Sequence, residues 1–187
     1  MQAASDKQEV IVTGAGGQGV LTMGKLLAQA AMHVYKHVSF RPSYGVEARG
    51  GTSECAVILS ENEILMPALV QAQTVIVMDP AQVKACADKV KPGGTLIVEK
   101  ERLAERVERE DIKILMIPAN KLAREIGSTL SANLLFLGAY IEETRALSLN
   151  IVEGELEAAG DSEAVLRGKK EALRTGAKLV ANHSSTT

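Results

Sequence analysis

Hydrophobic positions along this chain keep two rhythms. Short continuous apolar runs read as buried strands, and longer stretches with an apolar residue every third or fourth position read as helices. Val10-Ile11-Val12 is the first run, three β-branched residues stopped sharply by glycines. From Gln18 to about Tyr35, Val20, Met23, Leu26, Leu27 and Ala30 recur at helical spacing, with Gln18, Lys25 and Gln29 on the wetter face. His37 to Phe40 predicts a second strand stopped by Arg41-Pro42. Ser53 to Ser60 predicts a third, with Glu61-Asn62-Glu63 as its turn. Ile64 to Val70, broken by Pro67, is an irregular or helical connection, and Thr74 to Met78 is the clearest buried strand. A helix over Ala81 to Val90 and the turn Lys91-Pro-Gly-Gly94 lead to a fifth strand, Thr95 to Val98. Glu99 to Glu110 is dense in charge, with Leu103 and Val107 as its apolar pair, and reads as a solvated helix. Lys113 to Ile117 is a sixth strand, ended by Pro118.

Beyond Pro118 the pattern is helical throughout. Asn120 to Ile126 is a short helix ended by Gly127, and Ser131 to Ala146 is a longer one that is apolar on most of its circumference. Such a helix lies centrally or meets another subunit, and Gly138 permits a close approach. Asn133, among those apolar residues, requires a hydrogen-bond partner. Ile151 to Ala159 and Glu163 to Ala181 follow, separated by Gly160-Asp161. The expected fold is α/β, a Rossmann-like three-layer domain with a mainly parallel sheet and a helical C-terminal third, although the Ser53 to Ser60 strand could run antiparallel. One domain over 1–187 is expected, with 1–7 and 182–187 flexible.

Composition narrows the function classes. A net charge of -2, no Trp, two Phe and three Tyr argue against a nucleic-acid groove with stacking platforms. Cys55 and Cys86 lack metal-binding spacing and read as reduced core thiols. His33 and His37 fall across a helix end, so no metal is assigned. No apolar run reaches membrane-spanning length and Met1 to Lys7 is polar, so no membrane role and a cytoplasmic location are expected.

The strand, glycine turn and helix from Val10 onward form a natural phosphate cradle, because the first helical N–H groups lack acceptors and the helix dipole favours negative charge. Gly14, Gly16 and Gly19 fit G-x-G-x-x-G: the first for the turn, the second for close backbone approach, the third for helix packing. The alternative is a glycine turn that only lets the helix pack. A NAD-binding unit calls for an acidic residue about 20 residues further on. Between Glu9 and Glu47 there is none, and the second strand ends on Arg41, which suits a phosphorylated ribose (NADP or the adenosine end of coenzyme A) or is simply a surface charge. Arg41 to Thr52 reads as a long, aperiodic loop of the kind that carries function; the alternative is a solvated Glu47–Arg49 ion pair. Asp79-Pro80, at a strand end, reads as a helix cap. No catalytic set can be assembled, so a complete enzyme is not expected.

Gly14-Ala-Gly-Gly-Gln-Gly19 followed by Tyr44-Gly-Val-Glu-Ala-Arg-Gly-Gly51 resembles the gamma subunit of 2-oxoacid:ferredoxin oxidoreductases, over about Val10 to Ala146. The resemblance implies a subunit that is inactive alone. Thiamine diphosphate would sit on alpha and beta subunits and iron–sulfur clusters on a ferredoxin-like delta subunit or domain, with external ferredoxin as electron acceptor. The complex would oxidatively decarboxylate a 2-oxoacid, with 2-oxoglutarate favoured, and pass the acyl group to coenzyme A. The resemblance makes Gly14, Gly16, Gly17, Gln18 and Gly19 a candidate cradle for a phosphate-bearing ligand such as coenzyme A. It makes Tyr44, Glu47, Arg49, Gly50 and Gly51 a loop facing the shared active site or a partner. A self-contained NADP-dependent reductase and a purely structural subunit are the two competing readings.

Overall fold

The computed structural model describes residues 6–44, 51–103, 107–127 and 131–184. Strands β1 (Lys7–Ala15), β2 (His37–Tyr44), β3 (Thr52–Ser60), β4 (Ala72–Val77), β5 (Val90–Glu99) and β6 (Lys113–Ile117) form one sheet in the order β2-β3-β1-β4-β5-β6. β1, β4, β5 and β6 run parallel, and β3 lies antiparallel between β1 and β2. The helices are α1 (Val20–Ala31), α2 (Val83–Ala87, after a 3-10 turn at Pro80–Gln82), α3 (Ala119–Glu125), α4 (Ala132–Thr144), α5 (Leu149–Ala158) and α6 (Glu163–Ser184).

Alternation along the strands sends side chains to two cores. Val10 and Val12, Ile76, Ile97 and Leu115 point to the face covered by α1 and α3–α6. Ile11, Val75 and Val77, and Leu96 and Val98 point to the other face, closed by α2 together with Leu69, Leu103 and Val107 from irregular segments. Three layers are present but unequal. Four of the five helices on the thick side come from the C-terminal third, in agreement with its helical pattern.

Several boundaries depart from the sequence reading, each for a local reason. β2 continues through Pro42 to Tyr44 because it is an edge strand, where a missing N–H breaks no ladder on the open side. Arg41 to Tyr44 and Thr52, expected within a long loop, are therefore strand residues, and residues 45–50 lie outside the described residues. α1 stops at Ala31 instead of near Tyr35, and Tyr35 turns inward so that its hydroxyl donates to the Ala146 carbonyl (3.1 Å). The predicted turn Lys91-Pro-Gly-Gly94 is an irregularity within β5: Gly93 adopts φ +75°, and the Ala72/Thr74 register shifts beside it. Glu99 to Glu110 contains no helix among its described residues, and Leu103 and Val107 cover the thin face instead of facing water. The expected helix over Ala81 to Val90 shrinks to the 3-10 turn and α2. At the termini expected to be flexible, Lys7 opens β1 and α6 runs on to Ser184.

α4 lies centrally, with only its N-terminal and C-terminal residues short of full burial. It crosses α6 at backbone distance. A Cβ on Gly138 would sit 1.9 Å from the Leu173 carbonyl oxygen, and one on Gly176 would sit 2.0 Å from that of Leu135. Each helix thus presents a glycine to the other's backbone, which cannot yield as a flexible side chain can. Gly138→Ala or Gly176→Ala should each cost about 3 kcal/mol or more by forcing the helices apart. Urea denaturation should show the midpoint falling with little change in slope, and Gly168→Ala, which meets nothing within 4 Å, should be neutral or stabilising.

Candidate functional site

β1 ends at Ala15, in antiparallel register with Thr52 at the start of β3. This pairing brings the glycine turn after β1 and Gly51, just before β3, to one corner. The Gly16 N–H donates to the Gly51 carbonyl (3.1 Å), so the two motifs are tied backbone to backbone. Tyr44 closes β2 opposite Ser53 of β3 and so belongs to the same end of the sheet. Glu47, Arg49 and Gly50 lie outside the described residues.

The glycines do different work from that expected of their spacing. The turn itself is made by Gly17 (φ +90°) and Gly19 (φ +80°), a backbone region costly for other residues. Gly14, expected to make the turn, serves packing: a Cβ there would lie 2.5 Å from Gln18 Oε1 and 3.1 Å from the Met78 Cβ. Gln18 folds back over the corner. Its Oε1 accepts from the Ala15 N–H (2.8 Å) and its Nε2 donates to the Met78 carbonyl (3.4 Å), bracing the ends of β1 and β4.

α1 opens at Gly19 with no side-chain cap. The N–H groups of Val20, Leu21 and Thr22 therefore have no acceptor within the helix, and the positive end of its dipole is left uncompensated. Beside this helix start lies a cleft of about 470 Å³. Gly17, Gly19 and Thr22 form one wall, Leu26, Phe136 and Leu156 an apolar wall, and Asn133 and Lys169 reach in from α4 and α6. Asn133 is buried; its Nδ2 donates to the Gly19 carbonyl (3.3 Å), while its Oδ1, closed to solvent, has no partner among the described residues. A buried acceptor without a donor is costly, so the Asn133–Gly19 contact is held by the packing around it. Lys169 adds positive charge, with Asp161 as its neighbour at 2.5 Å. The corner can thus offer N–H donors and a cation to an anion, and apolar surface to the remainder of a ligand.

Asn133 was visible in the sequence as a polar residue needing a partner, and the structure adds the second, unmet half of its requirement. Lys169 was missed, because within Arg167-Gly-Lys-Lys170 nothing local distinguishes it from its charged neighbours.

Arg41 does not reach the corner. It pairs with Ala56, which pairs with Ile11, and so lies on the exposed edge strand two strands from β1 and four residues short of the turn. The acidic residue sought on the second strand could not have read a ribose either, since β3 separates β2 from β1. Asp79 is a cap: its Oδ1 accepts from the Ala81 N–H (3.1 Å). Burial pushes the Cys55 thiol up to about 12, and its Sγ packs beneath Gly24; burial also raises Cys86. Among the described residues no cluster of metal-ligating side chains occurs, and no helix is long and apolar enough to cross a membrane. His33 is paired with Glu155 at 2.7 Å.

Residues 9–179 match the family model described as pyruvate ferredoxin/flavodoxin oxidoreductase. The 2-oxoglutarate synthase subunit KorC of Methanothermobacter thermautotrophicus is 32% identical over 95% of this chain and 97% of its own length. The ketoisovalerate oxidoreductase subunit VorA of Methanothermobacter marburgensis is 36% identical over 69% of this chain, which spans only 27% of that longer protein. Among solved structures, the keto/oxoacid ferredoxin oxidoreductase gamma subunit of Geobacter sulfurreducens superposes with a TM-score of 0.79 at 25% identity, over 94% of this chain and 99% of that one. The 2-oxoglutarate:ferredoxin oxidoreductase of Magnetococcus marinus shares the fold, with a TM-score of 0.86 at 24% identity over 95% of this chain and 32% of that one.

Two outcomes follow from the corner's geometry. Gln18→Ala leaves the Ala15 N–H without its acceptor and should lower stability by about 1–2 kcal/mol in urea denaturation. Because both thiols are buried and held protonated, neither Cys55 nor Cys86 should react with iodoacetamide in the native protein at pH 8, whereas both should react in denaturant, as counted by mass spectrometry.

Proposed function

The chain belongs to the pyruvate ferredoxin/flavodoxin oxidoreductase family, and from that premise we propose that it is the gamma subunit of a 2-oxoacid:ferredoxin oxidoreductase and carries the coenzyme A site of the complex. In this reading thiamine diphosphate and the iron–sulfur clusters reside on partner subunits, and ferredoxin takes the electrons. Coenzyme A supplies the thiol that accepts the acyl group. The favoured 2-oxoacid is 2-oxoglutarate, supported by the end-to-end likeness to KorC.

The observation that carries the coenzyme A assignment is the combination at one cleft of the uncapped α1 start, the Lys169 ammonium and the apolar wall of Leu26, Phe136 and Leu156. Inorganic phosphate alone would satisfy the first two and leave the third unmet. A ligand with phosphates and an apolar body meets all three. The N–H groups of residues 20–22 and Lys169 would hold phosphate, Asn133 would hold the Gly19 turn that presents those N–H groups, and Leu26, Phe136 and Leu156 would pack against the apolar part. Gln18 spends its carboxamide on the Ala15 N–H and the Met78 carbonyl, bracing the corner beside the cradle. Arg49, in the loop that leads to Gly51, would add a second cation to the corner. A purely structural role is disfavoured by the uncapped α1 start facing a cleft, since a corner built only to pack would cap it. The NADP reading loses its support with Arg41 on the far edge strand.

Titration of coenzyme A into the assembled complex, followed by calorimetry, tests the assignment. Gly16→Val should disturb the Gly16–Gly51 closure, Arg49→Ala should remove a contact, and Asn133→Ala should release the Gly19 turn; affinity should fall at least tenfold in each. Unchanged affinity in Gly16→Val and Arg49→Ala would overturn the assignment.

A further inference from the structure

The cleft beside α1 holds its charge in one place. Among the described residues on its walls, Lys169 is the only one with a formal charge, and the first turn of α1 carries no acidic residue. Lys169 reaches the cleft from the second turn of α6, but its ammonium is already engaged. Its Nζ lies 2.5 Å from Oδ2 of Asp161, which follows the left-handed Gly160 (φ +75°) in the turn between α5 and α6. The two side chains are 31% and 28% exposed, so water screens the pair only in part. The cations next to it on α6 face other carboxylates: Lys170 pairs with Glu157, and Arg174 with Glu153 at 2.6 Å. Asp161 itself does not line the cleft. In the empty cleft the one charged side chain is therefore neutralised from outside its walls.

This pairing sets a condition on any anion that enters. A phosphate added beside the intact pair would bring its charge close to the Asp161 carboxylate, where like charges repel. Exchange avoids that repulsion, because a lysine ammonium carries three donors on a flexible stem and can turn from a carboxylate to a phosphate. A half-exposed pair is held weakly enough to open for a charge-assisted bond of this kind. We propose that Asp161 is the exchange partner of Lys169: it holds the ammonium while the cleft is empty, yields it to the phosphate of an entering ligand, and takes it back as the ligand leaves. The proposal rests on the coenzyme A reading of this cleft and adds to it the control of entry and release. Without the carboxylate, a bare ammonium beside the uncompensated α1 dipole would retain any small anion. With it, anion binding is weakened throughout, and occupancy goes to ligands that also cover Leu26, Phe136 and Leu156. Free inorganic phosphate has no such apolar part.

The test is calorimetric titration of the assembled complex with three probes: coenzyme A, inorganic pyrophosphate, and pantetheine, which has the arm of coenzyme A without its phosphates. Asp161→Asn should bind coenzyme A and pyrophosphate about three- to tenfold more tightly than the wild type, the range expected for a partly screened pair. Dissociation of coenzyme A, followed by stopped flow, should slow in step. Pantetheine affinity should not change, whereas general damage to the cleft would weaken it. Glu157→Gln removes the same charge from the carboxylate paired with Lys170, a residue that does not line the cleft, and should leave all three affinities unchanged. Equal or weaker binding of both phosphate probes to Asp161→Asn, an equal gain in Glu157→Gln, or a shift for pantetheine as large as that for coenzyme A would each overturn the exchange. Tighter pyrophosphate binding by Asp161→Asn, in a complex whose wild-type form binds no coenzyme A, would instead overturn the coenzyme A reading and uphold the exchange.

Discussion

The antiparallel insertion of β3 beside β1 is the constraint on which the functional corner depends. In a sheet whose second strand ran parallel and adjacent to the first, the turn after β1 would face the end of that strand. Here it faces the beginning of β3 instead, and the Gly16–Gly51 hydrogen bond joins residues separated by 35 positions in the sequence. The same insertion displaces β2 to the edge, which is why Pro42 is tolerated within it and why Arg41 is too remote to read a ligand at the corner.

A second constraint works from the helical side. The glycine-to-carbonyl crossing of α4 and α6 sets both helices at a separation that ordinary side chains would not allow. Asn133 stands at the N-terminal end of α4 and Lys169 in the first half of α6, so the depth of that crossing decides how far each reaches toward Gly19. A Cβ on Gly19 would meet Asn133 Nδ2 at 2.6 Å. The left-handed turn and the close amide are therefore one arrangement, and core packing is what aims polar groups at the cleft.

The molecule is consequently polarised along its strands. At the carboxyl ends of the parallel strands, helix N–H groups and a lysine converge on a cleft, as expected for ligand sites in α/β sheets. At the amino ends the irregular segment 61–71 shows apolar side chains to the surroundings.

Much of this was legible in the chain itself. The six strands and the glycine turn follow from short-range rules, because a run such as Thr74 to Met78 has few ways to bury both faces and Gly17 and Gly19 supply a backbone that other residues adopt at a cost. The Asp79 cap and the central burial of α4 follow in the same way, from chemistry within a few residues. What the chain could not disclose are relations between distant residues. The direction and neighbour of β3, the packing role of Gly14, the service of Leu103 and Val107 on the thin face, and the arrival of Lys169 at the cleft all depend on which elements lie side by side. Local pattern records how a segment buries its own surface; which partner it buries that surface against is a property of the whole chain, and only the tertiary structure decides it.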